Sequence, residues 1–251
     1  MTVEGFRPDT RFLVVNKTNY NEVWAGEFLH TVLRPGMRAV ILPLGYDEGW
    51  AMEADDWDRD FEESSERHED LERPLRTYGI QDFSWIDFHR ESEGSAADKL
   101  KDADICVLVG TDPAAAMERI EDLALEDALK QFDGILITLS EISHILEASF
   151  ETGDLYERNE REGLGLLQIR FHMHYSETEE ELRRMIRYLE RDDRPLIVLS
   201  EKSGLYVGDG TLELLGDAFI AEDSDLDELY SLLNFHRKRL FNESSCKEAK
   251  N

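Results

Sequence analysis

The chain has 251 residues, of which 41% are hydrophobic, enough for a sizeable core; 28 basic residues against 56 acidic ones leave a formal charge of −28. That balance excludes a nucleic-acid binder, which needs a basic face to meet phosphates. No apolar run approaches the roughly 20 residues of a membrane span, so no membrane partner is expected. The opening residues MTVEGFRPDT carry no apolar signal-peptide core. The two cysteines, Cys106 in an apolar run and Cys246 in a polar tail, make no disulfide framework. A cytoplasmic location is therefore expected.

Taken in chain order, RFLVVN (Arg11–Asn16) predicts a first strand and Asn21–Leu33 a helix. MRAVILPL (Met37–Leu44) predicts a second buried strand ended by Pro43 and Gly45. Between Tyr46 and Glu72 stand 13 acids and 2 bases. Trp50, Ala54, Trp57 and Phe61 fall on one helical stripe within that stretch, so it reads as an amphipathic helix with its acids outward. DFSWIDFH (Asp82–His89) predicts a third strand and Ser95–Asp102 a short helix. ICVLVG (Ile105–Gly110) is apolar throughout, as a strand covered on both faces should be. Asp112 is placed to cap the next helix, with Pro113 at its first position. GILITLS (Gly134–Ser140) predicts a fifth strand, and EISHILEASF a helix after it.

The second half changes character. LLQIRFHMHY (Leu166–Tyr175) predicts a strand, and Ser176 with Glu179 a capping box for a helix ending near Glu190. PLIVLS, GLYVGDG and TLELLG follow as strands, with Asp209-Gly210 as a hairpin turn. Ser224–Leu240 predicts the last helix. Strand–helix alternation argues a mostly parallel, doubly wound sheet with helices on both faces. No internal repeat or low-complexity linker is visible. Residues 1–242 are thus expected to form one α/β domain and residues 243–251 a disordered tail.

In such a sheet ligands sit at the carboxyl ends of strands. Ser140 closes an apolar strand and opens a helix, the location of a nucleophile elbow. Thr138 and Ile142 stand where that elbow wants small residues, so the motif alone favours an ordinary N-cap serine. Gly110-Thr111-Asp112-Pro113 is a second strand end, able to offer backbone N–H groups to an anion or to be a plain capped turn. His172 and His174, two apart on a predicted strand, share a face; either could be a general base or a satisfied structural histidine. No third ligand has the spacing of a metal site, and neither metal nor cofactor is expected.

Together these segments resemble the peptidase E and cyanophycinase family of serine peptidases, within the type 1 glutamine amidotransferase-like proteins. ADICVLVGTDPAAAM is similar to the family strand ending in Gly-Gly-x-Pro, and GILITLSEIS to its nucleophile strand G-x-x-x-G-x-S-A-G-A. GLGLLQIRFHMHY is similar to its GLGLL segment and His-aromatic pair, and PLIVLSEKSGLYV to the strand before its glutamate. The resemblance implies a three-layer αβα sandwich related to class I glutamine amidotransferases. It implies Ser140 as nucleophile, His174 as base and Glu201 as the acid that orients the base. It also implies an oxyanion site at Gly110, Thr111 and Glu141, with the N–H groups of Thr111 and Glu141 as donors. The family's chemistry is hydrolysis of peptide or isopeptide bonds involving aspartate. A small peptide-like substrate or ligand is the expected partner, and a homodimer is compatible with the sequence. Amidotransfer is disfavoured, because it uses a cysteine nucleophile and Cys106 lies in a different strand.

The departures set a second reading beside the first. Ser140-Glu141-Ile142-Ser143 stands for S-A-G-A, Thr138 for a glycine, Gly110-Thr111 for Gly-Gly and Lys202 for the glycine after the acid. A Glu141 carboxylate pointing into the site would oppose a developing oxyanion. The sequence is therefore compatible with a divergent hydrolase and with an inactive homologue that serves as a binding protein.

Overall fold

The computed structural model describes residues 11–46, 53–152 and 159–236. Their organising element is a seven-stranded sheet. Five of its strands run parallel: β1 (Arg11–Val15), β2 (Arg38–Gly45), β3 (Asp82–Trp85), β4 (Ile105–Gly110) and β5 (Ile135–Leu139). β10 (Ser203–Gly208) and β11 (Thr211–Gly216) complete one edge antiparallel, giving the order β11-β10-β1-β5-β4-β2-β3. This is the mostly parallel α/β sheet that the alternation predicts. Asp209 (φ +53) and Gly210 (φ +74) form the β10–β11 turn, both left-handed as a two-residue hairpin requires.

Alternate residues along each parallel strand feed two cores. Leu13, Val15, Ile41, Val107 and Ile137 pack with α1 (Val23–Val32), α2 (Ala54–Phe61) and α3 (Glu66–Arg76). Phe12, Val14, Leu42, Cys106 and Leu136 pack with α4 (Glu93–Lys101), α5 (Pro113–Asp122) and α6 (Glu126–Lys130). The result is three layers, helices on each side of the sheet. Trp57 and Phe61 of the acidic helix are buried as the stripe predicts, while Trp50 lies outside the described residues. Asp112 caps α5 by accepting from the Ala114 and Ala115 amides.

A smaller three-stranded sheet, β8 (Arg170–His172), β9 (Leu196–Val198) and β12 (Phe219–Ala221), lies under α7 (Glu179–Leu189) and a last helix, α8, over 226–236. β6 (Ser149–Thr152) and β7 (Asn159–Glu162) pair as a hairpin. Among the described residues no helix is long and apolar enough to cross a membrane. The tail from residue 243 lies outside the described residues.

Several boundaries differ from the sequence expectation, each for a physical reason. β2 runs through Pro43 to Gly45, because the proline sits where the ladder to β4 shifts register and an N–H is not needed. The predicted strand Leu166–Tyr175 is only Arg170–His172. The amides of Leu166 and Leu167 donate instead to the Leu146 carbonyl, so that stretch is spent on its neighbour and not on a sheet. Residues 140–146 form a 3₁₀ segment, not a long helix, and the chain then turns into β6. The cap of α7 is Thr178, which accepts from the Glu181 amide, in place of Ser176 with Glu179.

The ends of β2 and β4 approach without side chains between them. The Gly45 carbonyl accepts from the amides of Thr111 (2.6 Å) and Asp112 (2.8 Å). Gly110 has φ +149, and a Cβ there would lie 2.1 Å from the Gly45 oxygen. Gly110→Ala is therefore expected to destabilise the fold by about 2–3 kcal/mol, read as a lowered urea midpoint with unchanged slope.

Candidate active site

Register alone brings the first site residues together. Parallel pairing sets Val15 and Val109 beside Leu139, so Asn16, Gly110 and Ser140 follow at one edge of the sheet. Ser140 takes φ +71 as it leaves β5. A left-handed serine costs about 1–2 kcal/mol. The turn is left-handed at Ser140, not the relaxed N-cap that Thr138 and Ile142 favour on sequence grounds. Both β-branched residues are accommodated because neither needs unusual backbone. Thr138 stays in the strand, buried, and its Oγ1 accepts from Ser143 Oγ at 2.8 Å. Ile142 packs into space opened by Gly45, where a Cβ would lie 2.8 Å from its Cδ1. The small residue stands instead at the end of β2, with β4 between it and β5.

Ser140 Oγ lies 2.8 Å from His174 Nε2. His174 is in the turn after β8, also left-handed at φ +54, and its side chain is 39% exposed. That turn hangs on the end of β9: the Tyr175 amide donates to the Leu199 carbonyl at 2.8 Å. Asn16 Nδ2 donates to the same carbonyl at 2.9 Å and to that of Ser200 at 2.6 Å. His172, expected on the same face as His174, diverges because the strand ends between them. It is buried, 2.6 Å from Glu181 Oε2 and edge-on to Tyr175 and Tyr188. Among the described residues no cluster of three or more His, Cys, Asp or Glu is arranged to hold a metal.

Glu201 is at the same edge but faces elsewhere. Its carboxylate is 71% exposed and pairs with Lys17 Nζ at 2.7 Å. The Lys17 hydrogen bond and charge, with a lesser contribution from His174, hold its carboxyl below the usual range. Among the described residues His174 accepts or donates no hydrogen bond to Glu201, and its Nδ1 has no partner. Of the two expected oxyanion donors, the Thr111 N–H is taken by the Gly45 carbonyl. The Glu141 N–H lies in the first turn of the 3₁₀ segment, where amides have no partner within the helix.

Glu141, His144 and Glu147 recur every three residues, the period at which 3₁₀ side chains eclipse. Glu141 Oε2 is 3.2 Å from His144 Nε2, and His144 Nδ1 is 2.6 Å from Glu147 Oε1. Glu147 is fully buried; it also accepts from the Phe171 amide at 3.1 Å and pairs with Arg170 at 3.2 Å. Burial works against a charge on His144, but the Glu147 carboxylate, then Glu141, outweighs it and holds the ring up at about 10. Burial likewise opposes the Glu141 charge, and the His144 hydrogen bond and charge bring that carboxyl below the usual range. Of the three, Glu141 is the one that the sequence resemblance singles out, at the oxyanion site; His144 and Glu147 are legible only as a period of three.

Two cavities meet at Thr111. One of about 310 Å³ is bordered by Ser140, Gly110, Asn16, Tyr46 and the cations Lys17 and Arg67. The other, about 770 Å³, is bordered by Glu141, His144, Arg170 and Arg184.

Two solved structures share this fold across most of its length. One is a "putative peptidase E protein" from Listeria monocytogenes EGD-e, with TM-score 0.57, 13% identity, and coverage of 85% of this chain and 98% of that one. The other is a peptidase from an acI-B1 actinobacterium, with TM-score 0.58, 15% identity, and coverage of 85% and 91%. At such identities the likeness establishes the fold: the chain has a peptidase E-like α/β architecture. No protein-family model matches the chain, and no curated protein matches it in sequence.

Proposed function

We propose that the chain is a serine hydrolase that cleaves an amide bond in a small peptide or isopeptide of the aspartyl type. The observation that carries this reading is the 2.8 Å contact between Ser140 Oγ and His174 Nε2, on a serine held at φ +71 beside an open cavity. A strained, solvent-facing serine within reach of a base is the arrangement nucleophilic catalysis needs.

In the first step the Oγ–H proton passes to His174 Nε2 while Oγ bonds to the substrate carbonyl carbon. The carbonyl electron pair moves onto oxygen, and the Glu141 N–H is the donor this reading assigns to it. Collapse of that intermediate breaks the C–N bond, and the amine leaves with the proton from Nε2. Water then repeats the sequence on the acyl-serine, with the same base. The 310 Å³ cavity is bordered by Lys17, which also pairs with Glu201, and by Arg67 and Asp70, so charged groups of both signs are at hand to orient a polar substrate.

A second reading, a non-catalytic binding protein, draws support from the Thr111 amide being occupied by Gly45 and from Glu201 pairing with Lys17. The test is treatment with a fluorophosphonate followed by peptide mass mapping. The hydrolase is expected to be phosphonylated at Ser140 and to turn over members of an aspartyl dipeptide and isopeptide panel. An unlabelled Ser140, with no turnover across the panel, favours the binding protein.

A further inference from the structure

The Ser140–His174 contact leaves a question of charge. When the imidazole takes a proton it becomes a cation, and its Nδ1 has no partner among the described residues. Two carboxylates stand near. Glu201 is committed to Lys17 at 2.7 Å and is 71% exposed, so solvent and the ammonium both screen it. Glu141 Oε1 is 4.0 Å from His174 Nε2, the atom that receives the proton, and its side chain is 38% exposed.

Glu141 is also held from behind. Its other oxygen meets His144 Nε2 at 3.2 Å, His144 meets the buried Glu147 at 2.6 Å, and Glu147 meets Arg170 at 3.2 Å. Read from the interior outward, the signs alternate: Arg170 positive, Glu147 negative, His144 positive, Glu141 negative, then His174 beside Ser140. The chain starts at Arg170, passes through the fully buried Glu147 carboxylate and ends at the reacting pair.

We propose that this chain makes Glu141, and not Glu201, the carboxylate that stabilises the His174 imidazolium. The proposal rests on Ser140 and His174 being the reacting pair. At 4.0 Å the contact is too long for a hydrogen bond, so Glu141 acts by its charge and does not take the proton. The tether to His144 does a second thing. It keeps the side chain turned to the histidines, one oxygen toward His144 and the other toward His174. His144 is held protonated, so the tether is an ion pair at neutral pH.

The charged groups around His174 come from several elements. Glu141 and His144 lie on the 3₁₀ segment, Glu201 and Lys202 in the loop after β9, and Lys17 after β1. His172 lies two residues back, with Glu181 of α7 against it. The experiment is to titrate the His174 ring by histidine NMR, with the signal assigned through its loss in His174→Gln. The wild type is compared with Glu141→Gln and Glu201→Gln.

Removing a nearby carboxylate makes the imidazolium less favourable, so the ring's midpoint must fall. Glu141→Gln is expected to lower it by about half to one pH unit. Glu201→Gln is expected to lower it by clearly less. A larger fall in Glu201→Gln, or an unchanged midpoint in Glu141→Gln, overturns the proposal. The titration reads the ring whether or not Ser140 reacts, so failed phosphonylation and a failed shift are separate results. Where Ser140 is phosphonylated, the acid limb of its labelling rate is expected to move with the ring's midpoint.

Discussion

Exchanging Ser140 for glycine is expected to abolish phosphonylation while making the protein more stable than the alanine variant. The two variants lose the same hydroxyl and the same contact to His174. They differ in backbone: φ +71 is open to glycine and costs alanine about 1–2 kcal/mol. Glycine also gives the unfolded chain more freedom, which offsets part of the gain. The expected difference in urea unfolding is therefore about 1 kcal/mol in favour of glycine. Equal stabilities, or a more stable alanine variant, would mean that residue 140 does not hold the left-handed conformation in solution. On the chemical side both variants are expected to be unlabelled at residue 140. His174→Gln, which keeps the serine but removes the base, is expected to slow labelling by about 10²–10⁴-fold. A glycine variant more stable than the alanine variant, at a position where both are unreactive, is the signature of left-handed strain at residue 140.

The elbow shows why the sheet was easier to read than the site. An apolar strand declares itself by composition, and β1, β4 and β5 stand where RFLVVN, ICVLVG and GILITLS predict them. The dihedral of Ser140 is set by something else. The space that lets Ile142 sit after the serine comes from Gly45, almost a hundred residues earlier. No local window of sequence contains both. The same holds for the His174 turn, fixed through the Leu199 carbonyl by a side chain at Asn16. Single-sequence reading fails where long-range pairs decide local geometry, and here those pairs cluster at the site. Ser140 and His174 were within reach of motif comparison. The partner of His174 was not, because the acid implied by resemblance, Glu201, meets a lysine that precedes it by 184 positions.

The 3₁₀ segment fails in a different way. SEISHILEASF has the apolar residues of a helix, and Ile142, Ile145 and Leu146 are indeed buried. A spacing of three serves the tighter helix as well as the α-helix when the run is short. The segment ends at Glu147, whose carboxylate meets the Phe171 amide, Arg170 and His144 at once.

Glu147 is accordingly the residue whose exchange is expected to cost the fold most. Every neighbour of its carboxylate is a donor: the Phe171 amide and His144 Nδ1 on one oxygen, Arg170 on the other. Glutamine matches the shape but replaces one acceptor oxygen by an NH₂ group. A donor then faces a donor in a fully buried position, next to a histidine left with Glu141 alone and an arginine left with Asp192. Glu147→Gln is expected to destabilise the protein by about 3 kcal/mol, as breaking a buried ion pair does.

The loss should depend on pH, and the direction follows from His144. Its ring is held up at about 10 in the folded protein, against an ordinary value near 6.5. A group whose folded value is raised contributes its full stability below the unfolded value and loses it as pH climbs through the folded one. Wild-type stability should therefore decline between about pH 6.5 and pH 10. In Glu147→Gln the ring keeps only Glu141 as a partner, so the decline should be shallower and the two proteins should converge toward pH 10. Cys106, buried and with its thiol pushed far up, adds a decline of the same sign above the ordinary thiol range. It does so in both proteins, so the difference between the two curves isolates His144. Parallel curves across that window would show that His144 carries no charge at neutral pH, and the alternating chain from Arg170 to Glu141 would be broken at its centre.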